Sequence, residues 1–388
     1  MYFPEFEDIF KQIKKNLKMA GIPADNSMLG LKFYILFVNL MLMAGEEIAF
    51  FTSKMSSQDK SFLELTALAP CIGIGVLSLV KIVCIVLKRC HITELMNQLG
   101  KLYQEIVDDS KQTELRKTIS RKIVHVKSFT TYYFVLNLVL ISVYNFSTLL
   151  FMLYSYIKKE TVKLVLPYDV IVPFSTTVWY NWLVVYVHSI SCGFICVLYY
   201  TTVDALYCNL TSLICSNYSV ISNEIEQLTP NNAHTLNNIV KRHQYILKLS
   251  DVLEEIFALP NLYNVLVASV EICVLSFNIM TGDWTKIPGF ILFLLSQILQ
   301  ILVMSVFGEN LIRESSRVGE AAFKCEWYNM EEKYKKMILT ILIRSHKPKQ
   351  LTAYNFSVIC HRSFTKIIST AWSYFTILKT VYNPAEEQ

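Results

Sequence analysis

Seven long apolar runs limit what this chain can fold into. In residue numbers the runs are 31–51, 62–87, 129–157, 178–206, 257–281, 288–307 and 354–378. Each has the length of about 20 residues that a helix needs to cross a bilayer. Lipid offers the backbone no hydrogen-bond partner, so a crossing segment must be a helix or part of a closed barrel, and these runs lack the alternation typical of barrel strands. The sequence therefore predicts an all-α membrane protein, a bundle of seven transmembrane helices.

The composition excludes several other classes of protein. Hydrophobic residues make up 53% of the 388 residues and charged residues only 17%, whereas a soluble domain has about 25% charged residues. The net charge is only +5 and the basic residues flank the apolar runs, so no nucleic-acid partner is predicted. The ten cysteines form no zinc-ligand pattern and the seven histidines are dispersed. We therefore predict free thiols, no metal, no cofactor and no enzyme activity.

The distribution of positive charge predicts a cytosolic N-terminus. Seven spans put the two termini on opposite sides, and with the N-terminus inside, most Lys and Arg residues fall in inner segments. Residues 1–32 also lack the apolar core and cleavage site of a secretory signal peptide. In this orientation the outer links are short, and three inner links are long.

The inner links have the pattern of cytosolic helices. Residues 101–126, 237–255 and 330–344 mix charged residues with regularly spaced apolar ones. The apolar face of the third segment consists of Met330, Tyr334, Met337, Ile338, Ile341 and Leu342. This stripe is predicted to contact either another inner segment of the same chain or the equivalent helix of a neighbouring subunit. Pro348 lacks an N–H donor and ends the segment, so a separate membrane helix follows and the seventh helix is split.

The most specific pattern lies near the C-terminus. Residues 347–353 and the string Ser-Tyr-Phe-Thr-Ile-Leu at 373–378 resemble the C-terminal signature of insect odorant receptors. Related gustatory receptors end in Thr-Tyr, five residues and Gln-Phe, which this chain lacks, and the link 216–257 is shorter than that of the shared co-receptor. A gustatory-type receptor channel stays open as an alternative. A G-protein-coupled receptor is the weaker alternative, because it would have an outer N-terminus and Asp-Arg-Tyr after the third span.

The resemblance implies a function and a division of the chain. Members of that family form tetrameric ligand-gated cation channels, usually with the co-receptor, in the plasma membrane of sensory neurons. This chain resembles a subunit tuned to a small apolar odorant. The implied parts are a cytosolic segment 1–30, membrane helices one to six with their cytosolic extensions over 31–308, an anchor region 309–353, and a pore-lining seventh helix with a short extracellular tail over 354–388.

The resemblance also implies a gate near the end of the last helix. The hydrophobic constriction of the family falls on Ile377, with Val381 one turn further out and Leu378 as the neighbouring candidate. A narrow ring of aliphatic side chains stops ions, because a hydrated cation cannot exchange its water shell for methyl groups. Without the resemblance, Ile377 would be interpreted as an ordinary packing residue of the bundle.

The odorant pocket is implied in the outer half of the bundle, between spans two, three, four and six. Such a site needs aromatic and aliphatic walls with one or two polar groups. The candidate ligand-binding residues are Leu65, Leu68, Ala69, Ile72, Tyr144, Ser147, Leu150, Phe151, Tyr154, Trp179, Tyr180, Leu183, Tyr186, Phe290, Phe293, Leu294 and Gln297. For any single aromatic residue among them, bundle packing is the competing interpretation.

A few charged residues lie inside the apolar runs, where charge is costly. Lys81 is expected to extend its ammonium group to the inner membrane face. Glu271 has two interpretations, a water-facing acid near the ion pathway or a carboxyl that makes an interhelical hydrogen bond. Arg362 and Lys366 share one helical face and are expected to reach the cytosolic interface or to pair with an acid such as Glu271. His188 is expected to be a packing residue with satisfied hydrogen bonds.

Overall fold

The computed structural model describes residues 4–23, 27–56, 62–108, 113–158, 164–281 and 286–381. Within these ranges the chain is almost entirely helical, and its one β-bridge joins Thr352 to Val358. The helices are α1 (Pro4–Met19), α2 (Leu31–Ser56), α3 (Phe62–Leu87), α4 (Arg89–Asp108), α5 (Thr113–Ile157), α6 (Trp179–Glu226), α7 (Leu236–Thr281), α8 (Ile287–Lys324), α9 (Glu332–Ser345) and α10 (His361–Val381). The predicted all-α fold is confirmed.

Four helices are much longer than a membrane is thick. The 48 residues of α6 span about 72 Å at 1.5 Å per residue, against a hydrocarbon thickness of about 30 Å. Helices α5, α7 and α8 also continue well beyond their apolar runs. The predicted helical link 237–255 is therefore the first part of α7, not a separate helix. The predicted link helix 101–126 is divided between α4 and α5, and its residues 109–112 lie outside the described residues.

Six helices in the described part of the chain are long and apolar enough to cross a membrane. They are α2, α3, α5, α6, α7 and α8. Helix α10 is the seventh, and its 21 residues are long enough to cross, but it carries many Ser, Thr and basic residues. A helix of this composition needs water or protein against its polar face.

Helix α6 occupies the centre of the bundle. Its side chains Tyr199, Tyr207 and Tyr218 are fully buried, and it packs against α3, α5, α7 and α8. We call the end of the bundle that holds α1, α4 and α9 the anchor end, and the opposite end, where residues 164–178 connect α5 to α6, the loop end.

At the anchor end, α1 packs its apolar face into the main core through Phe10 and Ile13. Asp8 on the same helix forms an ion pair with Lys127, and this hydrogen bond lowers the pKa of the Asp8 carboxyl below its ordinary value. The N-terminal segment is thereby attached to α5 and α6.

The apolar stripe of the predicted 330–344 helix faces the same chain. Ile338 and Ile341 are buried against the core, and Tyr334, Met337 and Leu342 are partly buried there. The helix begins at Glu332. Met330 is buried in the turn before it.

The seventh membrane helix begins later than predicted. The run 354–378 is not one helix, because α10 starts at His361 and residues 346–360 form a connector from α9. Tyr354 and Asn355 have φ values of 50° and 60°, which an α-helix does not allow. The backbone N–H of Thr352 donates to Glu254 Oε2 at 2.8 Å, and the Thr352 hydroxyl donates to the same carboxylate. The polar groups of the connector thus bond to α7 instead of to a helix of their own.

The ten cysteines are all unpaired, as the sequence predicted, and seven of them are buried.

Candidate functional site

Two adjoining cavities lie in the loop-end half of the bundle. The larger has a volume of about 480 Å³ and lies between α3, α5, the start of α8 and residues 165–169. The smaller, of about 60 Å³, adjoins it and also touches α6, and α2 contributes Glu47 to both. The residues that line both are Glu47, Cys71, Tyr144, Tyr168 and Leu292. Their combined size and aromatic walls fit a small, mostly apolar molecule.

Tyr144 and Tyr168 form the wall shared by the two cavities. Their ring centroids are 5.5 Å apart, and Tyr144 also meets Phe293 edge to face at 5.0 Å. The Tyr144 hydroxyl donates to the Pro167 carbonyl at 3.1 Å, and the Tyr168 hydroxyl donates to Asn145 Oδ1 at 2.9 Å. These bonds hold residues 165–169 down as a cover over the larger cavity.

Glycine allows the close approach of Tyr168 to α6. A Cβ atom at Gly193 would lie 2.7 Å from the Tyr168 hydroxyl oxygen and 2.9 Å from Asn145 Nδ2. Contacts this short do not occur between unbonded atoms of this kind, so a larger residue would displace the cover.

The structure brings part of the predicted pocket together. The predicted residues that line a cavity are Leu68, Tyr144, Ser147, Phe151, Phe290 and Phe293. Those that do not are Leu65, Ala69, Ile72, Leu150, Tyr154, Trp179, Tyr180, Leu183, Tyr186, Leu294 and Gln297. Leu150 and Tyr154 are 66% and 53% exposed, on the outward side of α5. An aromatic or aliphatic side chain on a membrane helix suits a pocket and lipid equally well, so composition alone could not choose the face.

Tyr186 and Gln297 are buried for other reasons. The Tyr186 ring stacks on Trp182 with centroids 4.7 Å apart, and its hydroxyl donates to the Asn145 carbonyl at 3.0 Å. Gln297 lies on a buried face of α8 and is 1% exposed. Leu294 packs against the main core.

Sequence reasoning missed several residues that line the cavities. They are chiefly Glu47 on α2, Asn137 on α5, Tyr168 in the cover and Tyr200 on α6. A signal existed for Tyr168, since the link at 165–168 reads Val-Leu-Pro-Tyr, which is too apolar for a solvated loop. Glu47 and Asn137 lie in predicted spans, where a single polar residue indicates a contact inside the bundle.

A buried ion pair lies at the centre of the bundle, and it corrects the expectation for Lys81. Lys81 is 0% exposed and does not reach a membrane face. Its Nζ atom donates to Asp204 Oδ1 at 2.7 Å. Asp204 Oδ2 accepts from Gln300 Nε2 at 2.9 Å and from the Tyr133 hydroxyl at 3.4 Å. We call Lys81, Asp204, Gln300 and Tyr133 the central polar cluster, and it links α3, α5, α6 and α8.

Glu271 fits neither of its two predicted interpretations. It is 2% exposed, and neither carboxylate oxygen has a hydrogen-bond partner among the described residues. It lies against Gly73 of α3, where a Cβ atom would collide with Glu271 Oε1.

The other polar residues of the spans are placed as follows. Arg362 and Lys366 are exposed on α10, and neither forms an ion pair within the described part of the chain. His188 Nε2 lies 3.5 Å from Glu46 Oε2, so this histidine has an acidic neighbour in place of the predicted simple packing.

The three gate candidates lie on two different faces of α10. Ile377 is 55% exposed and Val381 76% exposed on the face that points away from the chain. Leu378 packs against the core together with Phe364, Ile368 and Phe375. Ile377 and Val381 are four residues apart and therefore share a face, whereas Leu378 lies about 100° around the helix.

The family of the chain is decided by a comparison with known families. The family model described as 7tm Odorant receptor matches residues 62–372, well over half of the chain. The chain belongs to the odorant receptor family. The receptor is similar to Putative odorant receptor 92a of Drosophila melanogaster, with 27% identity over 91% of this chain and 88% of that protein. It is also similar to Odorant receptor 67c of the same species, with 23% identity over 97% and 93% of the two chains.

Solved structures agree with this fold. The receptor resembles the olfactory receptor OR5 from Machilis hrabei in complex with eugenol, with a TM-score of 0.81 and 14% identity, over 97% of this chain and all of that one. A second structure of the olfactory receptor OR5 from Machilis hrabei gives a TM-score of 0.79 with 14% identity, over 96% and 97% of the two chains. The seven-helix bundle predicted from the sequence is thus confirmed. Family membership makes the chain a receptor, not an enzyme, and favours neither the gustatory nor the G-protein-coupled alternative.

Proposed function

We propose that this receptor is the odorant-binding subunit of a heteromeric, ligand-gated, non-selective cation channel in the plasma membrane. The observation that carries the proposal is the covered aromatic cavity at the loop end, about 480 Å³ in volume and built by α3, α5, α8 and the 165–169 cover. Burial of apolar ligand surface stabilises binding by about 25 cal/mol per Å². A small volatile therefore needs few polar contacts to bind there.

Helix α10 supplies the channel part of the proposal. Its inward face packs against α7 and α8, while the Ile377 and Val381 side chains are exposed and point away from the described part of the chain. Copies of α10 around a shared axis would bring these side chains together as a hydrophobic ring. Such a ring blocks ions until it widens. The co-receptor is the proposed partner in this tetramer, and the permeant ions are Na⁺, K⁺ and Ca²⁺.

The proposed orientation has the anchor end in the cytosol and the cavity facing outward. In that orientation residues 1–30 are cytosolic, 31–308 hold the first six membrane helices, 309–353 form the anchor and 354–388 hold the pore helix. The boundary at residue 308 divides proposed functional parts and not separate structural units, because α8 continues without a break through this residue. The tail 382–388 lies outside the described residues.

A matched pair of substitutions tests the ligand site. Phe293→Ala removes an aromatic wall of the smaller cavity that adjoins it. A loss of about 3 kcal/mol on removal of a buried ring corresponds to more than a hundredfold change in affinity. We expect the odorant concentration for half-maximal current to rise at least about tenfold, since binding pockets relax in part. Tyr154→Ala removes a ring of similar size on the outward face of α5, and it should leave this concentration unchanged. The measurement is odorant-evoked current in cells that express the receptor with the co-receptor.

Two results would contradict the proposal. If Phe293→Ala and Tyr154→Ala had equal effects, the cavity would not be the odorant site. If a broad odorant panel evoked no current from receptor present at the cell surface with the co-receptor, the channel assignment itself would fail.

A further inference from the structure

Glu47 is a buried carboxyl group that faces the ligand cavities. It lies on α2, is 4% exposed, and lines both the larger and the smaller cavity. Among the described residues it has no hydrogen-bond or ion-pair partner. An ionisable group buried without a partner is costly, by several kcal/mol in protein interiors. If this position only formed part of the cavity wall, Gln or Leu would give a more stable protein than Glu.

The other polar groups that line the inner walls of the cavities are already paired. Asn137 Oδ1 accepts from Ser296 Oγ at 2.9 Å and from the Tyr200 hydroxyl. The Tyr144 and Tyr168 hydroxyls donate to Pro167 and Asn145, as described above. Ser147 Oγ donates to the Tyr144 carbonyl at 2.7 Å, and Thr148 Oγ1 bonds to the backbone of its own helix. Glu47 is therefore the buried acceptor of the cavity walls that is left for a ligand.

The charges around Glu47 favour a cation. The acidic neighbours are Glu46 and Asp169. Glu46 does not line the cavities and has its Oε2 atom 3.5 Å from His188 Nε2, and Asp169 is exposed at the rim of the larger cavity. The basic residue that lines a cavity is Lys286, which is exposed at the rim and not inside. The faces of the Tyr144 and Tyr168 rings also attract a positive charge.

We propose that the ligand of this receptor carries an amine, which binds as an ammonium ion with its N–H groups on the Glu47 carboxylate. The apolar remainder of the ligand then lies against Tyr144, Tyr168 and Phe293. The inference rests on the proposed function and adds the ligand class to it. It makes Glu47 a specificity-determining residue, which rewards a charged donor and disfavours esters and ethers that can only accept.

The experiment compares ligands with the same carbon chain but different head groups. Hexylamine, hexanol and hexyl methyl ether are applied to the full-length receptor with the co-receptor, and half-maximal concentrations are measured from evoked currents. We expect hexylamine to be the most potent of the three. Glu47→Gln keeps the shape but removes the charge, and should raise the half-maximal concentration for the amine by about tenfold or more, the ratio typical of a hydrogen bond to a charged group. It should change that for the ether by less than about twofold.

Two further variants keep the test decisive. Glu46→Gln removes a carboxylate one residue away, outside the cavity lining, and should leave the amine preference intact. Glu47→Asp retains the charge and should retain the preference for the amine over the ether. If Glu47→Gln does not reach the surface, the wild-type potencies of the amine and the ether still decide the inference.

A binding measurement separates failure of this inference from failure of the proposed function. On the purified full-length receptor, hexylamine should raise the melting temperature of wild type and Glu46→Gln, but not of Glu47→Gln. Amine stabilisation without current would support the ligand class and contradict the channel assignment. Wild-type currents with equal potency for amine and ether, or an amine preference that survives Glu47→Gln, would overturn the inference.

Discussion

Lys81 and Asp204 form an ion pair that neither water nor lipid headgroups reach. Each charge was desolvated to enter the bundle, and each depends on the other for compensation. Gln300 and Tyr133 donate to the second oxygen of Asp204 and complete the central polar cluster. Such a pair fixes how α3 and α6 align, because a shift along either helix would separate the charges. The net contribution of the ion pair to the free energy of unfolding is small, whereas removal of only one of its two charges is costly.

Single and double substitutions distinguish these two quantities. Lys81→Met should destabilise the receptor by about 3–5 kcal/mol, because it leaves Asp204 buried and unpaired. The double variant Lys81→Met with Asp204→Leu should recover most of this loss. Lys54→Met at the exposed pair with Glu64 is the control and should cost at most about 1 kcal/mol. Thermal unfolding of the purified receptor measures all three, and a double variant as unstable as the single one would contradict this account.

The pairing of Lys81 could have been predicted from the sequence, although its location could not. Lys81 is the basic residue of the predicted span 62–87, and Asp204 is the acidic residue of the span 178–206. Opposite charges in two membrane helices suggest a pair. The sequence favoured an ammonium group extended to the membrane face, because Lys81 is close to the end of its apolar run. Only the packing of α3 against α6 shows that the side chain points inward.

At the scale of the elements, the connector between α9 and α10 determines where the last helix stands. Residues 351, 353 and 359 are buried, and the Ile359 N–H donates to the Leu351 carbonyl at 2.8 Å. Gly308 of α8 touches this connector, since a Cβ atom there would collide with the Ile359 carbonyl oxygen. The collision is with backbone, which cannot rotate away as a side chain does. The α8–connector contact therefore depends on glycine at this position.

Gly308→Ala should consequently disturb the position of α10. We expect the evoked current to fall at least about threefold at equal surface expression, or surface expression itself to be lost, because a close-packed backbone contact cannot absorb a methyl group. Gly45→Ala is the matched control, since a Cβ atom at Gly45 meets nothing within 4 Å. Alanine there should be neutral or slightly stabilising, as expected for an exposed helical site. Normal currents from Gly308→Ala would show that the contact is not needed.

The position of this connector was the main error of the sequence interpretation. Residues 354–360 continue an apolar and small-residue pattern that joins smoothly to α10, so the run predicted one helix from 354. Tertiary contacts, and not the local sequence, prevent residues 354–360 from joining the helix. Glu254 of α7 binds Thr352, and Asn261 Nδ2 donates to the Thr352 carbonyl at 3.3 Å. No local rule reveals partners that lie about 90 residues away in the chain.

At the scale of the whole molecule, one side of α10 is left uncovered by the described part of the chain. Six helices could be predicted from hydrophobicity with useful boundaries, because long apolar runs have few alternatives in lipid. The lining of the proposed odorant cavity was predicted less well, because it depends on which side of each helix faces inward. Under the proposed function, the outward face of α10, with Ile377 and Val381, contacts the other subunits around the pore.

Ile377→Ala tests that assembly. Because Ile377 is 55% exposed in the protomer, its truncation should leave the stability of the chain nearly unchanged, while the resting current without odorant should rise at least about twofold as the ring becomes wider and wetter. Leu378→Ala is the control on the inward face, about 100° around the helix. It should lower the melting temperature, since Leu378 packs against the core, with little change in resting current. A resting current that is unchanged in Ile377→Ala, with unaltered block and permeation, would remove Ile377 from the gate.

Helix α8 joins regions that are otherwise far apart. Its first turns carry Phe290 and Phe293 of the cavity, its middle carries Gly308 beside the connector, and its end packs on α9, over about 57 Å without a break. Because a continuous helix is stiff, a shift of α8 at one of these three contacts also moves the other two. Substitutions in these first turns that alter odour preference should therefore also change the spontaneous activity of the channel. Evolution of a new odour preference in this receptor would then be coupled to evolution of its activity without odorant.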